Sequence, residues 1–408
     1  MPADRQSIQK YLPAISLLLV MAGLLFSRAV LSIGVVLLFM SALFFSKQPL
    51  SYFPKSAWFY IPLLFLVFTL FNFLRAESSS SWNKDLEINV LWVVMAFSVS
   101  KLHNLQESKL YPWLRIIFYC MVALINAISV IQYLLNREAI DLLLLQSKHI
   151  PIAGGMHHIY FGILNAGLIL LKLSEWLIFR KEAHARWSKF EWAGVTIILI
   201  SMHVLSSRTG LFSFYIVLLS ILIFAAIQWK ERRKIISWVL LLAIVFPVIS
   251  YITLPSFRNK IANTSEDIKA TEKGGEDVNF KSMGMRKEAW KTAIEIIQSH
   301  PFIGVGSGNV ESAMSKQYEK NQSLLITENR IGPHNQFLEF GIKNGLIGIL
   351  LLLSLFIYLL VKGLRTQNLP LLATLALFSI SFMLESVLER QHGIIIFALA
   401  FFWCQSEK

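Results

Sequence analysis

The sequence predicts an all-α polytopic membrane protein with about twelve transmembrane helices and one large extracytoplasmic loop. Three observations lead to this prediction. Hydrophobic residues make up 55% of the chain and charged residues only 15%, the mean hydropathy is +0.57, and long apolar runs recur from Leu12 almost to the C-terminus. A soluble domain of 408 residues is far less apolar. Since a spanning helix needs roughly 20 apolar residues, the runs set the architecture.

The apolar runs define the predicted spans in order along the chain. The first run has no small-residue cleavage site and leads directly into the second, so we interpret it as a retained helix rather than a signal peptide. Both cysteines, Cys120 and Cys404, fall inside predicted spans, and we expect no disulfide framework. The spans are 12–27, 29–46, 57–74, 87–101, 112–135, 158–179, 190–206, 210–228, 235–254, 336–361, 369–387 and 392–404.

Basic residues predict the orientation of these spans. Connections on one side of the predicted bundle are rich in Lys and Arg, as short cytoplasmic loops are. This bias explains the net charge of +13, so we predict no nucleic-acid partner. The basic connections carry Lys47, Lys55, Lys101, Lys109, Arg180, Lys181, Arg186, Lys189, Lys230, Arg232, Arg233, Lys234, Lys362 and Arg365. The opposite connections carry Arg28, Arg75, Lys84, Arg137, Lys148, Arg208 and Arg390.

One long extracytoplasmic connection divides the chain. We predict transmembrane helices 1–9 within residues 1–254, a loop subdomain at 255–335, and transmembrane helices 10–12 within residues 336–408. The polar, glycine-bearing stretch at about 264–280 predicts a flexible excursion, to which we assign no chemistry.

The second part of the loop predicts an amphipathic helix. Ala289, Trp290, Ala293 and Ile297 form one apolar stripe that can lie on the membrane domain. Arg286 and Lys287 fall in the first turn of this predicted helix. A cation opposes the helix dipole there unless an anion lies nearby, and a helix N-terminus with a guanidinium suits phosphate or pyrophosphate. A solvated basic patch fits the same pattern.

A second arginine is a candidate anion ligand. The hairpin around Arg208 places it between two apolar runs, on the side where basic residues are scarce. Arg28 in the first hairpin has the same placement. A snorkelling membrane anchor explains either residue as well as a ligand site does.

Among nine histidines, His334 has a distinctive place. Pro333 before it suits a first helical turn, so the imidazole should stand at the extracytoplasmic interface near the start of the tenth span. The positive end of the helix dipole at this position favours a neutral imidazole, which can take a proton from a hydroxyl as a general base. A capping or interfacial role fits the same position.

Other polar residues are predicted at the same interface. Glu385 and Glu389 have i, i+4 helical spacing near the end of the eleventh span and should face one direction. Intramembrane carboxylates need partners, so a purely structural ion-pair network fits as well as a site. His157, His158 and Tyr160 open the sixth span from the same side. The loops contain no compact acidic cluster with a histidine, so we predict metal-independent chemistry and no cofactor.

Four motifs in this order resemble the O-antigen ligase and O-antigen polymerase superfamily. They are Ser-Arg-Thr-Gly at 207–210, Gly-Met-Arg-Lys-Glu-Ala-Trp at 284–290, His-Pro-Phe-Ile-Gly-Val-Gly-Ser-Gly-Asn at 300–309 and Pro-His-Asn-Gln-Phe-Leu-Glu at 333–339. Each motif is weak alone, but their order and topology are specific to the superfamily. They separate its ligases from its polymerases poorly. The polar stretch at about 264–280 departs from the family pattern.

The resemblance implies a GT-C-type membrane fold in the bacterial inner membrane, with the loop subdomain in the periplasm. It implies metal-independent, inverting transfer of a glycan from undecaprenyl pyrophosphate to lipid A–core oligosaccharide on the periplasmic face. It further implies that His334 is the catalytic base and that Arg208 and Arg286 hold the donor pyrophosphate, which favours Arg208 over Arg28. Additional substrate-binding candidates are Lys287, His158, Tyr160, Asn335 and Glu389.

Three other functions remain open at this point. An O-antigen polymerase uses the same donor but accepts a second lipid-linked repeat, and the compact length with one dominant late loop favours the ligase. A protein-directed oligosaccharyltransferase would need a further domain to present its acceptor, and the sequence offers none. A secondary transporter predicts repeated halves and charges near the bilayer midplane, and these are not evident.

Overall fold

The computed structural model describes residues 3–44, 56–145, 148–178, 185–273, 279 and 281–404. These residues are helical, with short 3-10 turns and no strand among them. The helices are α1 (Ala3–Phe26), α2 (Arg28–Phe44), α3 (Ala57–Phe71), α4 (Ser79–Ser100), α5 (His103–Gln106), α6 (Tyr111–Leu135), α7 (Arg137–Leu145), α8 (His158–Ile178), α9 (Ala185–Leu205), α10 (Arg208–Gln228), α11 (Arg233–Thr253), α12 (Pro255–Lys273), α13 (Ser282–Ser299), α14 (Val310–Lys320), α15 (Gln336–Arg365), α16 (Leu369–Leu384) and α17 (Gln391–Cys404).

Long apolar helices identify a multi-pass membrane protein. In the described part of the chain, six helical segments are long and apolar enough to cross a bilayer, and four apolar helices are shorter. Each predicted span overlaps a described helix. Those at 87–101 and 190–206 correspond to α4 and α9, which end one residue earlier, and residues 45, 46 and 179 of two other spans lie outside the described residues. Twelve crossings and a GT-C-type fold remain predictions. The long segments are Ala57–Arg75, Tyr111–Leu135, His158–Ile178, Arg208–Gln228, Lys230–Thr253 and Gln336–Arg365.

Helices α8 and α10 approach closely at two glycines. A Cβ added to Gly210 would lie only 2.6 Å from the backbone carbonyl carbon of Gly162, so larger residues would force the helices apart. Ser207, just before α10, donates its hydroxyl to the carbonyl of His158 at 3.1 Å. The crossing therefore holds the first residues of α8 and α10, His158 and Arg208, side by side. We call this end of the bundle the site end.

Helix α15 is broken near its start, although the sequence predicts one continuous span at 336–361. Gly345 has φ 62° and ψ −154°, and a Cβ there would lie 2.4 Å from the Phe302 carbonyl carbon. The loop before α14 satisfies the interrupted backbone. Val305 N–H donates to the Ile342 carbonyl at 2.8 Å, and Leu346 N–H donates to the Pro301 carbonyl at 2.7 Å. This docking explains the glycine-rich motif at 300–309.

Helices α12, α13 and α14 pack at the site end, and the last two share a small core with α15. The predicted stripe on α13 is confirmed for three of its four residues: Ala289 and Ala293 are fully buried, Ile297 is partly buried, and all three pack in a core with Tyr318 of α14 and Ile342 of α15. The fourth, Trp290, donates its indole N–H to the Pro333 carbonyl instead. The predicted flexible excursion is wrong for residues 264–273, which continue α12 as a regular helix. Residues 274–278 and 280 lie outside the described residues.

Candidate functional site

His334 stands in a strained backbone position just before α15. Its φ of 44° lies in the left-handed region, which few non-glycine residues occupy. The flanking residues hold it there. Trp290 of α13 donates its indole N–H to the Pro333 carbonyl at 2.8 Å, and the Asn335 side chain caps α15 by accepting N–H bonds from Phe337 and Leu338. His334 is therefore outside the helical turn in which the sequence places it.

Glu385 is the direct partner of His334. The histidine Nδ1 lies 2.8 Å from Glu385 Oε1, with the histidine side chain 34% exposed and the glutamate 9%. A carboxylate accepts, so the imidazole donates through Nδ1–H and leaves Nε2 as the proton acceptor. Sequence reasoning named Glu385 as a possible ion-pair partner without including it in the site.

The expectation that Glu385 and Glu389 face one direction is wrong. Helix α16 ends at Leu384, Glu385 is extended, and Glu389 follows in a 3-10 turn. Glu389 consequently binds Lys343, which also lies 2.8 Å from Asp85. The contacts of Glu389 thus belong to a second charged cluster around Lys343.

Arg286 lies on the other side of Glu385. Its Nη2 is 3.7 Å from Glu385 Oε2, and its Nη1 donates to the Leu384 carbonyl at the end of α16. Burial lowers the pKa of the Arg286 guanidinium, the Glu385 carboxylate raises it, and the charge of Arg208 lowers it. Because α13 begins at Ser282, Arg286 is in its second turn rather than its first. The neighbouring Lys287 is exposed.

Arg208 begins α10 and is held by an aspartate from α12. Its Nη1 lies 3.0 Å from Asp267 Oδ2, and the aspartate side chain is 1% exposed. The second oxygen, Oδ1, is buried and has no hydrogen-bond partner among the described residues. Sequence reasoning missed Asp267 because its segment was interpreted as flexible. Arg28, the alternative to Arg208, is exposed in the first hairpin.

Three histidines, two from the segment before α8 and one at its first residue, lie together near Arg208. The His158 ring stacks on His149 with centroids 3.9 Å apart, and His157 lies 4.4 Å from His158. Burial lowers the pKa of His157, the Glu385 charge raises it, and the charges of Arg390 and His334 lower it. His149 is a neighbour that sequence reasoning missed.

Tyr160 and Lys260 complete the surroundings of the site. Tyr160 is buried and faces His392 of α17 with ring centroids 6.5 Å apart. Lys260 on α12 donates to the Lys148 carbonyl at 2.7 Å. Burial lowers the pKa of Lys260 to about 8, Arg208 lowers it as well, and Asp267 raises it. The three cations Arg208, Arg286 and Lys260 thus outnumber the two carboxylates Asp267 and Glu385, which favours an anionic ligand.

Comparison with known proteins bears on this site. Residues 193–353 match a family model described as O-antigen ligase, and these residues include Arg208, Arg286 and His334. An uncharacterized protein of Haemophilus influenzae is 25% identical over 218 residues. That similarity covers 52% of this chain and 53% of the relative, so the chain matches about half the length of the relative. The family match confirms the resemblance to the O-antigen ligase superfamily.

Proposed function

We propose that this protein is an O-antigen ligase that transfers a glycan from undecaprenyl pyrophosphate to lipid A–core oligosaccharide. The reaction takes place on the periplasmic face of the inner membrane, inverts the anomeric centre and requires no metal or cofactor. Support comes from the family match at residues 193–353 and from the basic character of the site end. Membrane lipid, donor and acceptor are the partners.

One observation carries the proposal: Glu385 contacts both a base and an arginine. One carboxylate oxygen is 2.8 Å from His334 Nδ1, and the other is 3.7 Å from Arg286 Nη2. A general base and a leaving-group clamp are the two parts that such a transfer needs, and here they meet at one residue.

The reaction follows from these contacts. His334 Nε2 takes the proton of the acceptor hydroxyl as its oxygen bonds to the anomeric carbon of the donor sugar. The bond from that carbon to the phosphate oxygen breaks, and the electron pair leaves with the lipid pyrophosphate. Arg208 and Arg286 neutralise the charge that develops on it, through a fork that suits phosphate oxygens. Glu385 keeps the His334 ring in the tautomer with Nε2 free.

The other predicted residues take secondary roles in this proposal. Asn335 holds the helix start beside His334, and His158 and Tyr160 line the donor side of the site. Lys287 is exposed and is proposed to meet the glycan or lipid headgroups. Glu389 acts on the site only indirectly, through the Lys343 cluster on α15.

Donor binding tests the arginine clamp. We expect Arg208→Ala and Arg286→Ala each to weaken binding of the lipid-linked donor, and Lys at either position to restore it only in part, because an ammonium lacks the bidentate fork. Arg137→Ala is a matched control at a 52% exposed arginine on α7. Unchanged donor affinity in both site variants would remove the clamp from the mechanism.

Lipopolysaccharide electrophoresis separates a ligase from a polymerase. Deletion of a ligase gene removes all glycan-bearing lipopolysaccharide, whereas deletion of a polymerase gene leaves core carrying one repeat.

Transfer in reconstituted membranes with excess chelator tests metal independence. Strict dependence on a divalent ion would contradict the proposed mechanism.

A further inference from the structure

The loop between α13 and α14 carries two exposed apolar side chains near its start. Phe302 is 71% exposed and Ile303 is 52% exposed. We call residues 301–303 the anchor loop. Its backbone is fixed against α15 just after the break: Leu346 N–H donates to the Pro301 carbonyl at 2.7 Å, and Ile347 N–H lies 3.5 Å from the Phe302 carbonyl. The anchor loop therefore lies at the height of Leu346 and Ile347.

That height falls at the edge of the hydrocarbon region. From Ile347 to Arg365 the helix advances about 27 Å at a rise of about 1.5 Å per residue, close to the hydrocarbon thickness of about 30 Å. Lys362 and Arg365 at the far end of α15 suit the opposite interface. The anchor loop is consequently too deep to be surrounded by water alone.

The surface around the anchor loop is also apolar and exposed. On α15, Leu346 is 46% exposed and Leu350 is 63% exposed. Leu74, at the end of the segment Ala57–Arg75, is 90% exposed. The next residue, Arg75, donates to the Gly304 carbonyl at 3.0 Å, so this end of the segment adjoins the anchor loop. The loop thus continues the apolar face of two membrane-spanning segments.

The polar backbone beside the anchor loop is covered by protein. Val305 and Gly306 donate to the carbonyls of Ile342 and Lys343 at 2.8 and 3.0 Å. Gly304 and residues 306–309 are buried. Irregular backbone at membrane depth is tolerated where protein satisfies its polar groups, and this loop meets that condition while only Phe302 and Ile303 project outward.

We infer that the anchor loop inserts into the bilayer and that its partner is the acyl chains of the leaflet at the site end. The insertion fixes the height of α13, since that helix carries Arg286 near one end and leads into the anchor loop at the other. Hydrocarbon contact at Phe302 and Ile303 is the interaction, and no other protein is required. This inference is independent of the proposed glycan transfer.

Spin labelling measures the environment of the loop directly. In a chain with Cys120→Ser and Cys404→Ser, a nitroxide is attached to Ile303→Cys, and Phe302→Cys provides a second position. Matched controls are Leu350→Cys on the spanning half of α15 and Ile326→Cys in the loop subdomain, which are 63% and 48% exposed in the native chain. The protein is reconstituted in liposomes and checked for folding by size-exclusion chromatography.

Collision with oxygen and with a water-soluble nickel chelate gives the result. We expect labels at 302 and 303 to collide more with oxygen than with nickel, as the label at 350 does, and the label at 326 to show the reverse. Labels at 302 and 303 that favour nickel would show a solvent-exposed tip and overturn the inference. Labels shielded from both reagents would show a protein partner, such as a second copy, and overturn it equally.

Discussion

The charged network at the far end of the bundle and the site around His334 use the same residue types but pair them differently. At the far end, Arg115 binds both oxygens of Glu175 at 2.7 Å and lies 3.1 Å from Glu191, and Lys172 lies 2.6 Å from Glu191. Two cations meet two anions, and every side chain is at most 15% exposed. The charges in this network therefore balance, and the network joins α6, α8 and α9.

At the site end the charges do not balance, and not every charged atom is hydrogen-bonded. Glu385 and Asp267 each have one buried oxygen without a hydrogen bond in the described part of the chain. Around them lie three cations, Arg208, Arg286 and Lys260, and the two arginines are 29% and 19% exposed. A buried network with balanced charges stabilises a fold, whereas an excess of positive charge at a partly exposed position is typical of a ligand site. The comparison predicts that substitutions at the two ends affect different measurements.

The largest expected effect on turnover is at His334. His334→Ala and His334→Gln should each lower glycan transfer by about 10²- to 10⁴-fold, because neither side chain takes a proton at neutral pH. Transfer in reconstituted membranes with donor and acceptor measures this, with thermal unfolding as the control. Near-normal turnover of His334→Gln would mean that His334 only positions the acceptor, and His158 would become the candidate for the base.

The far-end network should show the opposite behaviour. Arg115→Ala removes the bidentate partner of buried Glu175 and leaves Glu191 paired with Lys172. We expect the folded state in detergent to be destabilised by about 3–5 kcal/mol. Donor affinity of the folded fraction should not change. Arg137→Ala, at the exposed arginine beside Asp141, should cost less than about 1 kcal/mol. Equal stability of the two variants would contradict the assignment of a structural network.

Glu385→Gln tests the link between base and clamp. The amide keeps the shape but loses the charge that stabilises a protonated His334, so we expect transfer to fall by about 10- to 100-fold with donor binding largely retained. The pH profile of transfer should shift as well. A fall in stability without a change in the profile would instead indicate a structural role.

Asp267→Asn should strengthen donor binding. The Asp267 carboxylate forms an ion pair with the Arg208 guanidinium, so a pyrophosphate must compete with Asp267 for the same N–H donors. Removing the charge should raise donor affinity by about two- to fivefold, equivalent to about 0.5–1 kcal/mol, because the aspartate is buried but the arginine is 29% exposed. Glu266→Gln, at a 67% exposed carboxylate on the same helix, is the matched control. Weaker binding by Asp267→Asn would show that Asp267 orients Arg208 for the donor.

The smallest effect concerns pH. Burial lowers the pKa of Lys260 to about 8, so the side chain is mostly charged at pH 7 and mostly neutral at pH 9. Donor affinity should therefore fall about two- to fivefold over this range. The pKa of neighbouring His149 and His157 is lowered, so both stay neutral throughout. Lys260→Met should remove the pH dependence, and an unchanged dependence would place its origin elsewhere.

Local properties of the sequence predict the helices well. Whether a segment is apolar enough to span a membrane depends on about twenty consecutive residues, and a described helix overlaps every predicted span. The stripe containing Ala289 and Ala293 is likewise local. His334, Arg208 and Arg286 were predicted through the family resemblance, and the site end brings them near one another. Their roles in binding and transfer remain predictions.

Long-range contacts could not be predicted in the same way. The Arg208–Asp267 pair spans 59 residues and the His334–Glu385 pair spans 51. Nothing within one turn of Asp267 distinguishes it from a solvated residue on a polar helix. For Glu385 the helical spacing to Glu389 was misleading, because α16 ends one residue earlier and the extended backbone turns the two carboxylates apart.

The break in α15 has a consequence for how the chain is assembled as it is synthesised. The carbonyls of residues 342 and 343 and the N–H of residue 346 bond to residues 301–306, and groups of this kind cost several kcal/mol each when they are left unpaired in lipid. The ribosome makes that loop about forty residues before the break, so the partner already exists when α15 enters the membrane. In a circular permutation that placed the loop after α15, these backbone groups would enter the bilayer before their hydrogen-bond partners had been synthesised.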